Sequence, residues 1–211
     1  MRQIALPLLP EEGAIASRIV VGNANAAVLD AMEETARWPF RTAILFGPPR
    51  SGKSLLARWF VETGKGEAID DAHAVEESEL FHRWNRAQES ATPLLLISAS
   101  KEGEWRVRLP DLASRLGAAM RLGIGAPDDA MLGQLIALHA EARRLVLDDS
   151  ATAYLVPRCE RSHLSAENLV AAIDRLSLER KQPPTLAIWR EALREVGADF
   201  GGEFRPEAGG T

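Results

Sequence analysis

Cysteine is almost missing from this chain. The single one, Cys159, excludes an internal disulfide framework, suits a reducing compartment and reads as a small, semi-buried apolar residue. The four histidines, His73, His82, His139 and His163, are scattered and show no metal-ligand spacing. No apolar run reaches the roughly 18 residues that a membrane helix needs. The first stretch, MRQIALPLLPEEG, has neither the long apolar core nor the small-residue cleavage site of a secretory signal. These absences point to a cytoplasmic protein with no membrane partner. A basic excess is also absent: the net charge is −5, which argues against nucleic acid as the main partner while leaving a local basic patch open. What remains is ordinary globular composition, 46% hydrophobic and 26% charged over 211 residues. That length is enough for one substantial core, or for a core with a small accessory domain.

The order of apolar runs gives the architecture. Residues 1–18 read as an arm, because Pro7 and Pro10 block regular helix or a central strand there. Helical spacing predicts a helix at 24–36, and TAILFG at 42–47 reads as a short buried strand. Helix is expected at 54–63, a strand ending in acids at 66–73, and a charged amphipathic helix at 75–90. PLLLISAS at 93–100 is the strongest buried strand; helix at 109–120 and a brief strand at 121–127 come after it. Such alternation predicts an α/β fold with a parallel sheet covered by helices. Beyond Pro127 only helical patterns occur, so a helical subdomain at 127–197 is expected, then a glycine-rich tail at 198–211.

The chemistry centres on Gly47-Pro48-Pro49-Arg50-Ser51-Gly52-Lys53-Ser54, which fits G-x-x-x-x-G-K-[ST] with a strand before it and a helix after it. Glycines let the backbone curl so that N–H groups face phosphate oxygens, and the helix adds its positive N-terminal end. Lys53 is expected to reach the outer phosphates of ADP or ATP, and Ser54 to ligate Mg²⁺. Asp70 and Asp71, at the end of the acidic strand, are the candidate carboxylates. Asp70 would hold the metal and Asp71 would polarise water, or both simply cap the next helix.

The succession GPPRSGKS, IDDAH, PLLLISAS, LPDLASRL and a helical lid resembles the AAA+ ATPases of the DnaA branch, and within it the small Hda-like regulators. The resemblance covers roughly residues 3–195 and implies several roles. Gln3, Leu6 and Leu8 look like a sliding-clamp binding motif: an extended peptide with one amide anchor and two apolar plugs. The alternative is an arm folded back on its own domain. Arg115, in LPDLASRL, matches an arginine finger that acts in trans on the nucleotide of DnaA; otherwise it is a surface arginine paired with Asp111. Ser98 matches a sensor of the γ-phosphate, and Val20 and Val21 match an adenine pocket. The family's DNA-binding domain has no room after the lid, so no direct specific DNA contact is expected. Self-association is left open.

The chain also departs from the pattern. Lys53 and Asp70 are only 17 positions apart. That leaves no space for a strand and helix usual in the family, and predicts a main sheet of four strands rather than five. Glu167 occupies the place where the lid normally supplies an arginine; Arg161 or Arg158 would have to substitute. The resemblance therefore implies a negative regulator of replication initiation with a largely structural nucleotide. An autonomous small AAA+ ATPase and a nucleotide-independent adaptor are the alternatives.

Overall fold

TAILF and LLLI have almost no use for water, and they become the centre of the molecule. The computed structural model describes residues 3–5, 18–100 and 103–199; for 3–5, 198 and 199 only the backbone is described. Its strands are β1 (Gln3–Ala5), β2 (Arg18–Val20), β3 (Thr42–Phe46), β4 (Glu67–Ile69), β5 (Leu94–Ile97) and β6 (Met120–Gly123). Its helices are α1 (Ala26–Glu33), α2 (Lys53–Glu62), α3 (Glu77–Glu89), α4 (Pro110–Gly117), α5 (Asp129–Ala142), α6 (Asp149–Leu155), α7 (His163–Arg180) and α8 (Leu186–Asp199). The chain divides into two compact units between Met131 and Leu132.

In the first unit, four parallel strands run in the order β4-β5-β3-β6. This is the strand number that the short Lys53–Asp70 spacing predicts. Every residue of β3 and β5 is buried, as expected of parallel strands covered on both faces. They pair from Thr42↔Leu94 to Leu45↔Ile97, and Thr42 satisfies its buried hydroxyl by donating to the Phe40 carbonyl at 2.9 Å. The outer strands are short and partly exposed, which limits the unpaired edge.

Several boundaries differ from the sequence reading. The first helix ends at Glu33 and gives way to single 3₁₀ turns at Thr35–Arg37 and Pro39–Arg41. Trp38 lies between these turns; its Nε1 donates to the Ala31 carbonyl and its ring stacks on Phe60 at 5.4 Å. The strand expected at 66–73 is reduced to Glu67–Ile69, because the chain turns at Asp71, whose φ of 46° is left-handed. At the N-terminus, β1 and β2 form an antiparallel pair with Gln3 opposite Val20. Gln3–Ala5 is therefore strand where the sequence reads as an irregular arm. Leu6 and Leu8 lie outside the described residues.

The compressed link between α2 and β4 depends on one small residue. Thr63 turns its hydroxyl onto the Trp59 carbonyl, Gly64 takes φ 71°, and the Lys65 N–H donates to Phe60, closing the helix. Glu67 then enters the sheet by donating to the Pro93 carbonyl at 2.9 Å. A Cβ on Gly66 would stand 2.2 Å from that carbonyl oxygen and 2.8 Å from the Phe60 ring. Gly66→Ala is therefore expected to destabilise the protein by about 1–3 kcal/mol, the usual range for overpacking, read as a lower midpoint in urea.

The second unit is helical. α7 and α8 pack against each other, and Leu169, Ile173, Leu176, Ile188 and Ala192 on them are buried. Arg175 pairs with Glu179 and Glu195, and Arg180 with Glu191, on the exposed flank of this pair. Cys159 comes after a 3₁₀ turn at Val156–Arg158, and burial, then the Glu160 carboxylate, push its thiol up to about 11. At pH 8 its alkylation is expected to be about a hundredfold slower than that of free cysteine, because so little thiolate is present. A rate within a few-fold of the free amino acid would contradict this.

Candidate nucleotide-binding site

β3 delivers Gly47 to the edge of the sheet where the strands end. A side chain there would strike Ile124 at 2.9 Å and the Ser51 hydroxyl at 3.0 Å, so the position needs glycine for space. The loop then bends through Arg50, at φ 61°, and Gly52, at φ 86°. Both are left-handed, and only glycine takes that conformation without cost. Gly52 is the N-cap of α2, with no side-chain cap and with open space where a Cβ would stand. The first turn of α2 thus offers N–H groups and a positive dipole end to an anion. Pro48 and Pro49 shape the approach without adding donors.

Lys53 folds back over the loop. Its ammonium donates to the carbonyls of Gly47 at 2.8 Å and Pro48 at 2.9 Å. Burial lowers its pKa from the usual lysine value, while Asp70 and Asp71 pull it back up. The two carboxylates therefore act electrostatically on the lysine. Asp70 and Asp71 are both exposed, and Asp70 Oδ1 accepts from the Asp71 N–H at 3.0 Å. Ser54 is exposed in the first turn of α2. Among the described residues no group of three or more His, Cys, Asp or Glu forms a ready cation cage. A metal here would need ligand oxygens from the nucleotide, as is usual for Mg²⁺ with phosphates.

Ser51 supplies the fit test for a phosphate. It is 6% exposed, and its hydroxyl has no hydrogen-bond partner. A buried polar atom left so is unfavourable unless a ligand or water completes it. With the uncapped helix and the open space at Gly52, it suits a phosphate oxygen.

Ser98 follows β5 directly. It is fully buried; its N–H donates to Leu45 and its hydroxyl accepts from Ser100 at 3.2 Å. Sequence reasoning passed over three supporting residues. His73 comes just after the acid pair, and its Nδ1 accepts from the Ala99 N–H at 3.4 Å, linking that turn to the end of β5. Asn25 is buried and ties the turn after β2, accepting from Gly22 at 3.0 Å and donating to the Val20 carbonyl at 2.9 Å. Asn23 fixes the same turn to Ala126 and Asp128. Val20 is buried and Val21 half-buried on this turn. Asparagines one and three residues before a helix are the signal that hinted at this scaffold.

Arg115 lies elsewhere. It sits in the last turn of α4, and its guanidinium covers the rings of Trp84 at 4.3 Å and Phe81 at 5.0 Å. Glu77 binds the start of α4 to the start of α3. Its carboxylate accepts from the N–H groups of Arg108 and Leu109, which hold it below the usual carboxylate range. Arg161 and Glu167 belong to the second unit; Arg161 is exposed just before α7, and Glu167 is half-buried on that helix.

No family model matches the sequence. Solved structures do match the fold. Domain III of DnaA, the replication initiation protein of Thermotoga maritima, aligns with a TM-score of 0.68 at 13% identity, over 90% of this chain and 98% of that one. The AAA domain of FIGL-1 in complex with ADP gives 0.64 at 15%, covering 90% and 84%. AMPPCP-bound DnaA from Aquifex aeolicus gives 0.58 at 16%, covering 82% and 68%. The chain has the AAA+ fold, of the kind DnaA also has.

Ser51→Ala separates the loop's two duties. It removes a buried hydroxyl that bonds nothing, so thermal stability of the free protein is expected to hold within about 0.5 kcal/mol or rise. Affinity for ADP, by calorimetry, is expected to fall several-fold. A loss of stability with affinity intact would refute the assignment.

Proposed function

We propose that this chain binds ADP or ATP with Mg²⁺ in the Gly47–Ser54 loop and acts as a negative regulator of replication initiation. In this reading Gln3, Leu6 and Leu8 dock on a sliding clamp, and Arg115 stimulates ATP hydrolysis by DnaA in trans. Lys53 and Ser51 would contact phosphates, Ser54 and Asp70 the metal, Asp71 an attacking water, and Ser98 the γ-phosphate side. Val20 and Val21 would border the adenine, and Arg161 would approach from the lid. Mg²⁺ supplies charge neutralisation across the phosphates when bound.

One observation carries the trans assignment. The phosphate loop comes after β3 where the strands end, whereas Arg115 occupies the last turn of α4, which leads into β6 where the strands begin, Met120 pairing beside Ala43. The arginine and the protein's own loop therefore belong to opposite ends of the strands. An arginine so placed suits a nucleotide held by another molecule. There its charge offsets the negative charge developing on the transferred phosphoryl group, an effect of about 10³- to 10⁵-fold in the best cases. Likeness in fold to DnaA, including its AMPPCP-bound form, supports the choice of partner.

A second reading, an autonomous ATPase, is favoured by the intact grouping of Lys53 with Asp70 and Asp71. Hydrolysis by ATP-loaded DnaA, followed with clamp on DNA, distinguishes the two. The regulator reading expects stimulation that Arg115→Ala abolishes, with little turnover by this protein alone. Steady turnover by the purified protein, lost in Lys53→Ala and Asp71→Ala and indifferent to Arg115→Ala, would instead establish the second reading. Unchanged ADP affinity in Lys53→Ala would remove the nucleotide from both.

A further inference from the structure

A long arginine side chain that must meet a phosphate on another molecule loses much freedom when it does so, and Arg115 is half-buried. Arg115 has part of that freedom removed in advance. Its guanidinium lies over two rings, Trp84 and Phe81, three positions apart on α3 and so on one face of that helix. Trp84 is 4% exposed and shares a core cluster with Leu80, Leu112 and Leu116, which fixes its ring. Phe81 is half-buried and packs at the border of the same cluster. Glu77, by bonding the start of α4, holds the arginine's helix at a set position relative to the rings.

The nature of the contact matters chemically. A ring face attracts the cation without offering a strong hydrogen-bond acceptor, so the guanidinium is held in place while its N–H donors stay available. Those donors are what bind a phosphate in a fork. We propose that Phe81 and Trp84 form an aromatic shelf that preorganises Arg115 for a phosphate oxygen presented by a partner molecule. They are positioning residues, and the inference rests on the trans reading of Arg115. The shelf acts on the maximal rate and not on docking, because neither ring supplies a donor to the phosphate.

The test uses the full chain with ATP-loaded DnaA and clamp, and varies the concentration of this protein. Phe81→Leu is expected to lower the maximal stimulated rate about three- to tenfold, in line with a lost cation–π contact, with the half-saturating concentration little changed. Trp84→Phe, which keeps a ring, should retain most of the rate. Thermal unfolding monitors the fold of each variant, and the Arg115 Nε–H resonance should move in Phe81→Leu, since one of its two rings is gone while Trp84 remains. Wild-type rate in Phe81→Leu, with Arg115→Ala inactive, overturns the shelf and leaves the trans reading standing. A rate raised by Phe81→Leu also overturns it, since the rings would then be withholding the arginine. Full stimulation by Arg115→Ala defeats the trans reading itself, and the shelf with it.

Discussion

The parallel pairing of β3 with β5 is the constraint on which the first unit depends. Neither strand has an exposed residue, so both must be covered on two faces, and helices α2, α3 and α4 answer that demand. The pairing also sets the site. Because both strands end at one edge, Gly47 after β3 and Ser98 after β5 become neighbours, and the Ser98 N–H continues the ladder onto Leu45. A ligand-binding edge at the strand ends is the general consequence of such sheets. The loop chemistry is then local: left-handed Gly52, an uncapped α2 and an orphaned Ser51 hydroxyl converge because β3 delivers the chain there.

The same constraint explains how a short link is tolerated. A connection between α2 and β4 without a further strand must bring the chain straight from the helix end to the edge of β5. Gly66 makes this possible by lying against the Pro93 carbonyl where no Cβ fits. The sheet then closes with β4 at its edge, and β4 contributes only Ile69 as a fully buried residue. The core does not need a fifth strand, since the apolar load sits on β3 and β5.

What could be read from the sequence was what is encoded locally. TAILF, the phosphate loop and PLLLIS each declare themselves within eight residues, and the spacing of Lys53 and Asp70 gave the strand count. The parts that stayed hidden depend on contacts far apart in the chain. Gln3–Ala5 pairs with Arg18–Val20 across a proline-containing stretch whose composition reads as loop. Asp71 turns left-handed and truncates β4. His73 and Asn23 have meaning only through Ala99, Ala126 and Asp128. The aromatic partners of Arg115 lie on another helix, so no periodicity within LPDLASRL could reveal them.

Two cations in the first unit carry opposite solutions to the same electrostatic problem. Lys53 is partly buried, which disfavours its charge, and it survives as an ammonium group beside Asp70 and Asp71 and on two loop carbonyls. A bound phosphate would add negative charge and relieve that deficit, so the loop is suited to keeping a nucleotide. Arg115 rests on rings that carry no formal charge, and its charge is not cancelled by them. A cation neutralised by carboxylates would have to exchange partners before meeting a phosphate; one stacked on aromatics need not. On the proposed reading, the lysine therefore retains the protein's own nucleotide, while the arginine stays available for a phosphate that this chain does not hold.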